Sequence, residues 1–188
     1  RITTPEKEIN EELVLTSAFA DDIISNWSAK QAECIYQTLA EGLNRRELAE
    51  QNRIGRPAKD FTYTLLSGKG GTLYGVKAKY TLLFINNPGC HACEEGIEAL
   101  KQAPAINNEF AAGNLKILAV YPDEDKEEWE RHLPDFPKEW INGYDKKLVI
   151  KEKNLYDLKA IPTLYLLDKD KKVLLKDATV AQIDQYLQ

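Results

Sequence analysis

Methionine is missing from this chain, and cysteine is scarce: only Cys34, Cys90 and Cys93 occur. The missing methionine reads either as chance or as modified methionines left out of the sequence, in which case some spacings are one residue short. Three cysteines are too few to staple a small disulfide scaffold. No apolar run approaches the roughly 18 residues of a membrane span, so no transmembrane segment is expected. Basic character is short too. Lys and Arg number 25 against 30 Asp and Glu, a formal net charge of -5. No basic block interleaves with aromatics, which excludes the electrostatic footprint of a nucleic-acid binder. The chain starts at Arg1 and not Met, a start compatible with a signal segment or lipid anchor removed ahead of it. What is present is a 43% hydrophobic, 29% charged chain of 188 residues. That reads as soluble and globular, with enough length to bury a core.

The pattern divides near Ile54-Gly55-Arg56-Pro57. Residues 1–56 read as a helical segment. Ala32, Ile35, Tyr36, Leu39 and Leu43 recur at helical spacing, Ser28 suits an N-cap, and Gly42 lies near the end. A further short helix is expected over Asn44 to Gln51. Residues 57–188 read as a second domain of α/β class. Phe61 to Leu66 has strand composition, Ser67 to Gly71 a turn, and Thr72 to Tyr74 a short return strand. Tyr80 to Ile85 is an unbroken apolar run, as in a strand buried on both faces. Asn86-Asn87-Pro88-Gly89 ends it, and a helix begins at or next to Cys90. Ile97, Leu100 and Ala103 mark that helix's buried face, with Pro104 breaking or kinking it. Lys116 to Tyr121 is the next strand, followed by an acidic helix through Trp129 to Leu133. The acidic run reads as a solvated helix face. Irregular chain around Pro134 and Pro137 leads to Trp140–Tyr144, and a helical turn is expected over Leu155 to Leu158. Thr163–Leu167 and Lys172–Lys176 form a hairpin around Asp168–Lys171, and Val180 to Leu187 a terminal helix. An early βαβ unit with its right-handed crossover plus a late hairpin makes a mixed sheet with helices on both faces.

The chemistry concentrates at Cys90-His91-Ala92-Cys93. Two intervening residues at a strand-to-helix junction bring two sulfurs within bonding range. The helix start favours the thiolate on the first. Cys90 is therefore read as the nucleophile and Cys93 as the thiol that resolves the mixed disulfide. A protonated His91 would favour the Cys90 thiolate further, while an exposed His91 would have modest influence; both readings stand. Glu94 and Glu95 favour the helix start but oppose the thiolate. Zinc would need a fourth ligand beyond Cys90, His91 and Cys93, and His132 is the only other histidine. With no second CxxC, no metal and no cofactor are expected. Cys34 reads as a small buried hydrophobe in preference to a redox partner.

Residues from about 57 to 188 resemble the thioredoxin-like superfamily, especially its extracytoplasmic thiol–disulfide oxidoreductase branch, which includes cytochrome c maturation reductases. The resemblance rests on Pro57-Ala58-Lys59-Asp60-Phe61, the Tyr80–Ile85 strand, the Cys90–Cys93 motif, and Ile161-Pro162-Thr163 leading into a strand ending Leu166-Leu167-Asp168. It implies a thioredoxin-like three-layer fold preceded by the small helical segment. It further implies a redox-active Cys90–Cys93 disulfide and a cis Ile161–Pro162 bond beside it, with the backbone of Ile161 holding a substrate chain. Protein dithiols or disulfides would be the substrates, with a redox partner still to be identified, and the location would be extracytoplasmic, in the periplasm. This chain departs from the family pattern in three places. Gly89 stands where an aromatic residue usually precedes the first cysteine. Phe84 and Ile85 occupy a stretch where relatives carry an acid. Gly96 stands where some reductases have glutamate, with Glu95 one place off. These departures leave the direction of electron flow open.

Two other readings are carried forward. One is a peptide- or partner-binding module on the same fold, with a structural Cys90–Cys93 pair and a groove near Pro162. The other is a peroxidase, disfavoured because position 87 is Asn where peroxidatic relatives have threonine.

Overall fold

The computed structural model describes residues 37–40, 42, 50–158 and 160–188. The chain groups into two units, Arg1–Arg46 and Glu47–Gln188. In the first, the described residues 37–40 and 42 are helical. Cys34 and most of the expected N-terminal helices lie outside the described residues.

In the second unit the strands are β1 (Thr62–Leu65), β2 (Gly70–Thr72), β3 (Tyr80–Ile85), β4 (Leu115–Tyr121), β5 (Ile141–Tyr144), β6 (Thr163–Leu167) and β7 (Val173–Lys176). The helices are α1 (His91–Gln102), α2 (Pro104–Ala111), α3 (Lys126–His132), α4 (Val149–Glu152) and α5 (Val180–Leu187). All seven strands join one sheet in the order β2-β1-β5-β4-β3-β6-β7. β3 and β4 pair in parallel, as do β4 and β5. β6 pairs antiparallel with both β3 and β7, and β1 antiparallel with β5 and β2. This is the mixed sheet that the pattern of apolar runs predicts.

β4 is the middle strand of the seven, and β3 lies beside it inside the sheet because its run has no polar face to give to water. Leu82 and Phe84 point to one side, where Ile97 and Leu100 of α1, Ile106 of α2 and Ile183 of α5 cover them. Leu83 and Ile85 point to the other, against Phe61, Leu73, Tyr156 and Tyr165. Full burial of each such side chain stabilises the fold by roughly 1.5–3 kcal/mol. A smaller cluster holds α3: Trp129 packs on Tyr144 with ring centroids 4.8 Å apart, and its indole N–H donates to Asn142 Oδ1 at 2.8 Å.

Four elements differ from the sequence expectation. The return strand is Gly70–Thr72 and not Thr72–Tyr74; Leu73–Gly75 is a 3-10 turn. Gly71 lies over the Tyr63 ring, where an added Cβ would sit 2.5 Å from Tyr63 Cζ. Pro104 breaks the helix fully and also opens α2 as its first residue, where the missing N–H costs nothing. Ile141–Tyr144 is a strand, made so by ladders on both sides. The helical turn expected over Leu155–Leu158 lies instead at Val149–Glu152. The Asp145 carboxylate starts that turn by accepting from Ile150 N at 2.7 Å, while Tyr156 is drawn into the core and donates its hydroxyl to Lys59 O at 2.6 Å.

Candidate active site

The site is built where β3 stops. Asn86 is buried, and its side-chain amide donates to Phe84 O at 3.3 Å and Val120 O at 3.4 Å. Its backbone N–H donates to Val120 O at 3.0 Å. The end of β3 is thereby tied to β4, and the next residues leave the sheet. Gly89 takes φ +69°, in the left-handed region that glycine enters without steric cost. That turn delivers Cys90 to the N-cap of α1. The Cys90 carbonyl accepts from Cys93 N at 2.9 Å and Glu94 N at 3.0 Å, and its own N–H donates to Asn87 O at 3.2 Å.

The two sulfurs sit in different surroundings. Both cysteines are free thiols, Cys90 half-buried and Cys93 buried at 3% exposure. The Cys93 sulfur accepts a hydrogen bond from Asn87 N at 3.3 Å. Burial pushes the Cys93 thiol up to about 12. The Asn87 amide opposes that rise, and the adjoining Cys90 thiol and Glu94 add to it.

The other residues singled out in the sequence are divided among three places. His91 faces solvent, with 85% of its side chain exposed, and lies 3.3 Å from Glu95 Oε1 and 4.0 Å from Glu94 Oε2. The Ile161–Pro162 peptide bond is cis. Ile161 and Cys90 both pack at the margin of the apolar cluster beneath α1. Gly96, one turn beyond Cys93, lies against Phe84 and Pro162; an added Cβ would come within 3.4 Å of Phe84 Cε2 and 3.7 Å of Pro162 Cγ. Gly96 and Pro162 line a cleft of about 480 Å³ whose far wall carries Asp157 and Asp177. Burial raises the Asp177 carboxyl above its ordinary range, and the Asp157 charge adds to the rise. Among the described residues no group of three or more His, Cys, Asp and Glu side chains could hold a metal ion. No helix among them is long and apolar enough to cross a membrane.

One neighbour of the dithiol was not legible as such. His132, weighed in the sequence only as a fourth zinc ligand, packs over Gly89. A Cβ added at Gly89 would lie 3.4 Å from His132 Nε2 and 3.5 Å from its Cε1. His132, Gly89, Cys90, Cys93 and Glu94 line one small recess. Nothing local in the sequence signals this, because the contact joins α3 to the loop after β3.

Comparison with known proteins agrees with the geometry. A family model described as thioredoxin-like matches residues 77–173. The thiol-disulfide oxidoreductase ResA of Bacillus cereus is 30% identical over 145 residues, covering 74% of this chain and 79% of that protein. A crystallised thioredoxin-like protein from Bacteroides caccae is 57% identical with a TM-score of 0.77 over 86% of this chain, which spans 56% of that protein's length. The C-terminal domain of an uncharacterized protein from Bacteroides fragilis is 67% identical with a TM-score of 0.71, covering 72% of this chain and 97% of that domain. With the sheet order, the helix-start CxxC and the family match in agreement, the chain belongs to the thioredoxin-like family of thiol–disulfide oxidoreductases.

Proposed function

We propose that this enzyme exchanges disulfides with protein substrates, with Cys90 as the attacking sulfur and Cys93 as the resolving one. The observation that carries the reading is the contrast within one helical turn. Cys90 is half-buried at the helix N-terminus, where the helix dipole favours negative charge. Cys93 is buried, and its thiol is held neutral. The Cys90 thiolate attacks a substrate disulfide; a Cys90–substrate bond forms, and one substrate sulfur leaves as thiolate. Cys93 loses its proton and attacks Cys90 Sγ, closing the Cys90–Cys93 disulfide and releasing the second substrate thiolate. The pair gives up two electrons and the substrate gains two. The same steps run backwards oxidise a dithiol, and the partner's potential sets the direction.

Ile161 and Pro162 support the substrate chain next to the dithiol, and the cleft between Gly96 and Pro162 takes the flanking residues. His91 lies on the exposed rim where the substrate arrives. We place the enzyme outside the cytoplasm, in the periplasm, where protein disulfides persist; fractionation of cells expressing the full-length protein tests that location. Turnover of a disulfide-bonded peptide is expected to be lost in Cys90→Ser, and Cys93→Ser is expected to accumulate the mixed disulfide. Wild-type turnover by Cys90→Ser overturns the assignment. A Cys90–Cys93 potential far below about -300 mV also overturns it, since that value suits a structural bridge.

A further inference from the structure

The Asn87 peptide groups touch both cysteines. The Asn87 N–H donates to the Cys93 sulfur at 3.3 Å, and the Asn87 carbonyl accepts from Cys90 N at 3.2 Å. Residue 87 is itself exposed, and both contacts are made by its backbone. Asn86 fixes this stretch from the sheet side. It is only 2% exposed. Its Nδ2 donates to Phe84 O at 3.3 Å and Val120 O at 3.4 Å, and its backbone N–H donates to Val120 O at 3.0 Å. Two amide groups of one residue thus tie the turn to β3 and β4. Pro88 follows on the other side. Its ring disfavours helical geometry at the residue before it, so the Asn87 N–H is not drawn into the first turn of α1.

The rest of the surroundings oppose ionisation of Cys93. It lies in the apolar cluster with Phe84 and Ile97. Burial pushes its thiol up to about 12, and Cys90 and Glu94 add to the rise. The Asn87 N–H works the other way. His132 and Asp135, from α3 and the turn after it, complete the titratable lining of the recess. Resolution of a mixed disulfide nevertheless needs a thiolate at this place. Cys93 gives its proton to solvent, its sulfur bonds to Cys90 Sγ, the Cys90–substrate bond breaks, and the electron pair leaves on the substrate sulfur. We infer that the Asn87 N–H stabilises the Cys93 thiolate in this step, and that Asn86 is the positioning residue that keeps the N–H on the sulfur. The inference rests on the thiol–disulfide exchange proposed above. A hydrogen bond onto an ionised acceptor is shorter and about twice as strong as one onto a neutral acceptor. The contact therefore favours thiolate over thiol and strengthens as charge develops. The first attack, by Cys90, does not use it, because Cys90 meets the Asn87 carbonyl and not the N–H.

The two steps are separated by reaction of the reduced protein with 5,5′-dithiobis(2-nitrobenzoate). Cys34→Ser serves as the parent, so that only the pair reacts. Attack by Cys90 releases a first 5-thio-2-nitrobenzoate at a rate proportional to the reagent. Closure of the Cys90–Cys93 disulfide releases the second at a rate independent of it. In the first variant the amide link between Asn86 and Asn87 is replaced by an ester, which deletes the N–H and keeps every side chain. Its second release is expected to slow about 10-fold, as fits loss of a hydrogen bond to a charged atom, with the first release unchanged. Asn86→Leu keeps the side chain's bulk and loses its donors, and its second release is expected to slow selectively as well. A merely structural defect would slow both releases together. A second release by the ester at the parent's rate, or both releases slowed alike, overturns the inference. An unchanged second release in Asn86→Leu overturns the role of Asn86. If Asn86→Leu does not fold, the ester decides, since residue 87 is exposed and keeps its side chain. A parent that releases the first equivalent and never the second overturns the exchange itself and this inference with it.

Discussion

The two flanks of the dithiol are built on opposite principles. Toward Pro162 the fold leaves a cleft of about 480 Å³, with Gly96, Pro162, Asp157 and Asp177 in its lining. Toward α3 the chain is filled in, and the His132 ring takes the space that a side chain at position 89 would have used. Glycine stands at the boundary of both, and at each another side chain comes within 3.4 Å of where its Cβ would be. At Gly96 the neighbours are Phe84 and Pro162, and at Gly89 they are His132 and Glu128. The open flank offers a cleft, and the filled flank leaves only a small recess beside the cysteines.

Four changes would break or sharpen this contrast. The largest effect belongs to the sulfur both flanks serve: Cys90→Ser should lower peptide disulfide turnover by about 1000-fold or more, as removal of a nucleophile does elsewhere. Next is the buried thiol. In the unfolded chain Cys93 ionises near 9, and in the folded reduced protein only near 12. Between those values the unfolded state binds fewer protons, so the reduced protein loses stability as pH rises from about 9 to 12. The loss, on the order of 2–4 kcal/mol, should be missing from the disulfide form. Urea midpoints of the two forms across that range measure it, and equal slopes would refute the neutral-thiol picture. Third, Ala160→Leu, at an exposed position of the cleft lining, should fill the open flank and reduce kcat/KM for a peptide disulfide by about 10-fold, with Cys90 alkylation unchanged. Equal kcat/KM would mean that the substrate does not use the cleft. The smallest effect is expected from Asp125→Ala. The Asp125 side chain caps α3 by accepting from Glu128 N at 3.0 Å. Its loss should cost about 1 kcal/mol of stability, read as a lowered thermal midpoint, and should leave turnover at neutral pH nearly unaltered.

The parts of the fold that were legible in the sequence are those whose signal is local. The β3 run and the α5 helix have the bounds that composition and periodicity predict, and α1 starts beside Cys90 as expected. Pro104 marks a helix end by its own covalent structure. β5 was missed because Ile141-Asn142-Gly143-Tyr144 has no apolar alternation and contains a glycine. That glycine is explained only by β1: a Cβ at Gly143 would lie 2.7 Å from Tyr63 Cδ2 and 3.2 Å from Thr64 O. The helical turn placed at Leu155–Leu158 failed for a related reason. Tyr156 belongs to the core, edge-on to Phe61 and Tyr165 at ring-centroid distances of 5.7 and 5.3 Å, and that packing outweighs local helical preference.

At the site the same division holds. By itself the sequence determined that two thiols stand two residues apart at a strand-to-helix junction, because an apolar run, a turn of Asn, Pro and Gly, and a helical pattern are all read from neighbours along the chain. Which thiol is sheltered, which flank is open and which histidine faces the dithiol were decided only by the tertiary structure. His91 directly follows Cys90 in sequence, yet its helix position turns it to solvent. His132 is remote in sequence, yet α3, anchored by Trp129 on Tyr144, lays it against Gly89. Burial and electrostatic fields depend on distances through space, and sheet order and helix packing set those distances.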